Sequence, residues 1–200
     1  MSIVRSSKCS IAFSTQRKRK ELESILSEYG KVVNHFIDLF WTDMPSKAKL
    51  LKGIVNSPTT WLTARLRKVA AREAIDLILA AKERWKNKPS KFVKPVHKGK
   101  RMYVSCTIAA LEMPKKASSF DGWLHLASIG NKSILDLPIR FHRHFNRMLK
   151  KGKRLNSYIV TTDYVQFAFE IEAPANKTEG KAIGIDTGIN ALASTSTGKQ

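Results

Sequence analysis

One carboxylate flanked by small residues is the feature of this sequence best suited to chemistry. Residues 181–199 read KAIGIDTGINALASTSTGK. A short apolar run, Ala182 to Ile185, ends on Asp186, and Gly188 follows. A second run from Ile189 leads into a Ser/Thr segment and Gly198. The β-branched runs and the glycines predict strand, tight turn, strand. Ile183 and Ile185 then share one strand face, and Gly184 and Asp186 the other. Small neighbours leave room for a metal ion and a phosphate to approach the carboxylate. The plainer alternative is that Asp186 only initiates a turn, where Asp is common.

Cationic residues are the second chemical feature. Thirty-six Lys and Arg stand against sixteen Asp and Glu, a net charge of +20. Such a charge repels itself in a compact chain and implies a polyanionic partner. Residues 140–154, RFHRHFNRMLKKGKR, concentrate it: Arg140, Arg143, Arg147, Lys150, Lys151, Lys153 and Arg154, with His142 and His144, alternate with Phe141, Phe145, Met148 and Leu149. The apolar set predicts one buried face, and the basic set a phosphate-binding face. Arg17, Lys18, Arg19 and Lys20 open a predicted helix, where the macrodipole disfavours cations; a phosphate backbone would neutralise them. Arg65, Arg67 and Lys68 lie early in a later helix. Trp61, Trp85, Trp123 and Tyr103 could stack bases, or could fill a core.

Several classes are excluded. No run approaches the roughly 18 apolar residues of a membrane span, and MSIVRSSKCS lacks a signal-peptide core. Two distant cysteines, Cys9 and Cys106, form no C-x-x-C pair and thus no zinc ribbon in this chain. His142 and His144 have no third metal ligand at suitable spacing.

The elements that must position these residues follow from periodicity. Residues 2–13 alternate as a strand. Ser14 and Thr15 then form an N-cap pair, and Leu22, Leu26, Tyr29, Val33, Phe36 and Phe40, widened by Ile25, Val32 and Ile37, form a helical stripe. Residues 47–55 predict a short basic helix, and Thr59 or Thr60 caps a long helix running to about Asn87. The two long helices would pair antiparallel, with basic outer faces. After Pro89 the period becomes two. Strands are expected at 92–93, 102–108, 111–113, 122–127, 134–141, 155–162 and 164–172, as an antiparallel, barrel-like unit with one wet face. Residues 173–180, APANKTEG, read as a linker.

Gly184, Ile185, Asp186, Gly188, Ile189, Ala191 and Ala193 match the G-[IV]-D-x-G-[IVL] strand that opens the RuvC-like, RNase H-fold nuclease domain of TnpB proteins. The chain thus resembles the TnpB (OrfB) family of transposon-encoded, RNA-guided nucleases, related to type V CRISPR effectors. The order of parts is similar, and so are Leu137-Pro138-Ile139 before a basic segment and the alternating strand before the linker. The resemblance implies an α+β architecture: a β-barrel wedge domain (residues 1–13 and 89–173) with an inserted three-helix recognition domain (14–88). A linker (174–180) and the first β-hairpin of a RuvC domain (181–200) would follow. It implies that Asp186 is one of three carboxylates holding two magnesium ions about 4 Å apart, that guide RNA and DNA are the partners, and that the protein works at the nucleoid in a prokaryotic cytoplasm. The family's Glu, zinc ribbon and final Asp all lie downstream of this first strand. The chain therefore reads as the N-terminal part of a longer protein, or a truncated frame, that binds nucleic acid without cleaving it. A non-catalytic RNA- or DNA-binding regulator and a ribosomal-type RNA binder are the rival readings.

Overall fold

The computed structural model describes residues 2–87, 93–114, 118–173, 185–186 and 194–195. Strand β1 (Ser2–Ser10) leads into helix α1 (Gln16–Phe40). A 3₁₀ turn (Lys47–Lys49) and the one-turn helix α2 (Lys52–Val55) connect it to α3 (Ala64–Asn87). Strands β2 (Arg101–Ser105), β3 (Ala109–Glu112), β4 (Gly122–Leu126) and β5 (Leu135–Ile139) precede helix α4 (Arg143–Lys151). The long hairpin β6 (Gly152–Thr161) and β7 (Tyr164–Glu172) follows, then the two-residue strands β8 (Ile185–Asp186) and β9 (Ser194–Thr195).

The mixed α+β class matches the expectation from the sequence, but the β unit is not a closed barrel. The strands form two separate antiparallel sheets, ordered β1-β7-β6-β2 and β3-β4-β5. The reason is visible at β2. The chain leaves the first sheet through a turn at 106–108, and β2, the last strand of that sheet, packs against α1 and α3. Among the described residues no strand of the second sheet pairs with β1 or β2, so the first sheet does not close on itself.

Helix α1 forms where the stripe predicts it, and all nine stripe residues are buried. Thr15 caps it by accepting from the Lys18 N–H at 3.4 Å. Helix α3 starts later than expected, because 59–63 is held extended: Leu62 bridges Gly130, and the Thr63 N–H donates to the Ile129 carbonyl at 2.8 Å. Thr63 therefore supplies the cap, accepting from Leu66 N–H at 3.4 Å. The predicted helix at 47–55 is broken at Leu50 and Leu51. The strand expected at 102–108 ends at Ser105, the one expected at 111–113 is β3, starting at Ala109, and Val93 is not in a strand; Phe92 lies outside the described residues.

One continuous apolar cluster links helices and sheets. On the first sheet, Cys9, Met102, Val104, Tyr158, Val160, Val165, Phe167 and Phe169 are buried. Antiparallel register puts them on one face, with Cys9 opposite Val165 and Met102 opposite Val160. Burial pushes the Cys9 thiol up to about 12, so it is an inert core group. Within the C-terminal stretch, Ile185 pairs with Thr195 and Asp186 with Ser194. The linker at 174–180, Gly184, Gly188 and the rest of the expected hairpin lie outside the described residues.

Candidate nucleic-acid interface

Helix α4 is the element the basic segment builds. Its period places Arg143, Arg147, Lys150 and Lys151 on one exposed stripe, while Phe145 and Met148 are buried on the opposite side. The stripe runs about 12 Å along the axis, at roughly 1.5 Å per residue. Together with Asn146 these long side chains frame an open cleft of about 690 Å³. No acidic residue lies within α4. Lys150 and Lys151 suit its C-terminus, where carbonyl dipoles favour cations.

The apolar side fixes the helix to the sheet. Phe145 is fully buried, stacked on Phe141 at 4.2 Å and edge-on to Phe167 and Phe169 at 5.1 and 5.3 Å. Leu149, expected on the apolar face, is instead 40% exposed. The histidines complete the attachment. His142 caps α4, its Nδ1 accepting from Phe145 N–H at 3.4 Å. That assigns the ring proton to Nε2, which donates to the Lys8 carbonyl on edge strand β1 at 2.9 Å. His144 Nδ1 lies 3.2 Å from Ser7 Oγ. Both rings therefore join α4 to β1. His142→Ala is expected to cost about 1 kcal/mol through the lost cap, whereas His142→Asn retains a capping oxygen and most of that stability. Urea denaturation midpoints of the two variants measure the difference.

The remaining cations divide into those that extend the stripe and those that do not. Arg154 pairs with Phe169 across β6 and β7, and Phe169 pairs with Arg5 on β1. Arg5 and Arg154 thus flank Phe169 on the face that carries α4. Arg154 also donates to the Tyr158 hydroxyl and lies 5.5 Å from its ring. Arg5 has no place among the residues singled out from the sequence. Its signal was the alternation Arg5, Ser7, Cys9, which puts it on the face of a buried cysteine. Lys153, paired with Glu170, points to the other face of the sheet.

Other basic residues are partly engaged within the fold. Lys18 Nζ donates to the Asp136 carbonyl at 2.6 Å and lies 5.2 Å from the Trp123 ring. Arg19 donates to the Ser14 and Ala12 carbonyls. These neutral acceptors account for two of the four cations at the start of α1; Arg17 and Lys20 are exposed. Arg140 donates to the Ser119 carbonyl and lies over Phe13 and Phe120, 4.8 and 5.8 Å from the ring centres. On α3, Arg65 and Lys68 are exposed and Arg67 is half-buried. Helix α4 rests on β1, β6 and β7, whereas α1 and α3 rest on β2, and α1 also on β5.

Among the described residues no three His, Cys, Asp or Glu side chains converge on a possible metal position. Asp186 stands on a two-residue strand pair. Among the described residues no helix is long and apolar enough to cross a membrane. No family model matches the chain, and no curated protein matches it at a significant level.

Proposed function

We propose that this chain binds nucleic acid through the basic face of α4, as the N-terminal part of a TnpB-like, RNA-guided DNA endonuclease. The observation that carries the binding reading is the stripe Arg143, Arg147, Lys150 and Lys151, free of acidic residues and held on a rigid sheet by a buried aromatic cluster. Cations on a preorganised helix neutralise successive phosphates and release counterions without ordering a flexible tail. The net charge of +20 supports the same partner class.

The finer assignment rests on the GIDTGI resemblance and the order of parts. In that reading the helices and sheets hold a guide RNA and its heteroduplex by backbone and shape, and Asp186 is one carboxylate of a RuvC-like centre. Magnesium there would stabilise the attacking and leaving oxygens of phosphodiester cleavage. The described residues do not assemble a carboxylate set for it, so no cleavage step is derived through the ion.

Fluorescence anisotropy with labelled RNA, single-stranded DNA, duplex DNA and an RNA–DNA hybrid tests the binding reading. Affinity should fall linearly in log–log terms with salt, with a slope of about −0.7 to −0.9 per phosphate contacted. No binding to any of the four at 50 mM salt, roughly the low end of the range over which such contacts dominate, would refute it. The nuclease reading requires more: metal-dependent cleavage by a protein carrying this chain, abolished by Asp186→Ala.

A further inference from the structure

A second cationic site lies away from α4, at the junction of α3, the loop 96–100, the start of β2 and the β6–β7 turn. It is a pocket of about 400 Å³, within the roughly 300–1,000 Å³ range of small-ligand sites. Lys98, Lys100 and Arg101 line it against a single carboxylate, Asp163, while Leu77 and Tyr164 supply flat apolar wall.

The backbone that carries these cations is tightly held. Asn34 of α1 clamps His97 twice, accepting from its N–H at 2.7 Å and donating to its carbonyl at 3.0 Å. Two glycines allow the loop to lie on α1. Gly99 has φ +64, and a Cβ on Gly30 would come 2.6 Å from the Gly99 Cα. Arg101 is held from behind: Glu73 of α3, a carboxylate 3% exposed, accepts from the Tyr29 hydroxyl at 2.8 Å and lies 3.3 Å from Arg101 Nη2. Almost half of the Arg101 side chain stays exposed, so the guanidinium keeps free donor edge.

A buried ring sits beside the cations. His97 lines the pocket and is only 7% exposed. Its Nδ1 accepts from the Gly99 N–H at 3.2 Å, which places the proton on Nε2. Among the described residues that buried Nε2 makes no hydrogen bond, and neither does Glu73 Oε1, 3.4 Å away. The N–H and the carboxylate face each other, so Glu73 backs both His97 and Arg101.

We infer that this pocket is a phosphomonoester site that takes the phosphorylated end of a nucleic-acid strand. The inference rests on the nucleic-acid reading above and adds the chemistry of one end. Counting the buried Glu73 behind Arg101 together with Asp163, the three cations leave a net charge near +1, and that field holds a phosphomonoester, at about −1.5 to −2 near neutral pH, more strongly than a singly charged anion. An internal phosphodiester carries only −1 and needs an open groove. A fixed guanidinium fork with two lysines is the donor set that phosphate oxygens favour, and Leu77 and Tyr164 offer contact to the terminal sugar and base.

The test compares short labelled RNA and DNA strands carrying a 5′-phosphate, a 3′-phosphate or hydroxyls at both ends, by anisotropy at near-physiological salt. One phosphorylated end should bind about tenfold tighter than the hydroxyl strand, as two charge-assisted bonds would give. The double variant Lys98→Gln, Lys100→Gln, both exposed positions, should erase that difference and leave the hydroxyl strand within about twofold of wild type. Equal binding of all three ends by the wild-type chain overturns the pocket assignment while the binding reading stands. Loss of hydroxyl-strand binding to the same degree as phosphorylated-strand binding in the double variant also overturns it. Failure of every strand to bind, even at low salt, overturns both.

Discussion

Replacing Arg143, Arg147, Lys150 and Lys151 together by Gln is expected to weaken RNA and DNA binding roughly 10²- to 10³-fold at about 0.1 M salt. Four phosphate contacts correspond to a salt slope of about −3 to −4, and removing them should flatten the measured slope by that amount. The fold should survive, because all four residues are exposed and face away from Phe145 and Met148. Circular dichroism checks that point, and anisotropy titrations at several salt concentrations measure the slope. An unchanged slope would move the interface elsewhere, with the exposed Arg17, Lys20, Arg65 and Lys68 next in line. A control with Lys153→Gln, on the opposite sheet face, should shift affinity by no more than one contact's worth.

Phe145→Ala should be the most destabilising single change in the region, at about 3–5 kcal/mol. The ring is fully buried and touches Phe141, Phe167 and Phe169, so truncation leaves a cavity at the joint between α4 and the sheet. For a chain of this size that corresponds to a fall in Tm of roughly 6–20 °C. Phe145→Leu refills most of the volume and should cost markedly less. Differential scanning calorimetry of the pair separates cavity formation from a general intolerance of substitution. A fall in Tm no larger for Ala than for Leu would mean that α4 is not anchored by this ring. The nucleic-acid interface would then lack the rigid support argued for it.

Much of the helical architecture was readable without coordinates. The stripe from Leu22 to Phe40 repeats every three or four residues, and only a helix puts such residues on one side. The alternation of Val165, Phe167 and Phe169 marked one strand face in the same way. The basic segment around α4 was also readable, since Phe145 and Met148 recur at the period that separates them from Arg143, Arg147, Lys150 and Lys151.

Other features were settled by partners far away along the chain. Whether the strands close depends on what meets the outer strands β1 and β2, and among the described residues no strand of the second sheet does. Whether Lys18 faces solvent or holds a loop depends on the carbonyl of Asp136. Where α3 begins depends on Gly130, which pairs with Leu62. The pocket at His97 gathers residues from three separate segments, and the buried carboxylate of Glu73 backs its arginine. Periodicity and composition are local and additive, so they determined most of the elements and their buried faces. Edge pairing, charge neutralisation and pocket formation are many-body contacts between distant segments. Only the tertiary structure decided those.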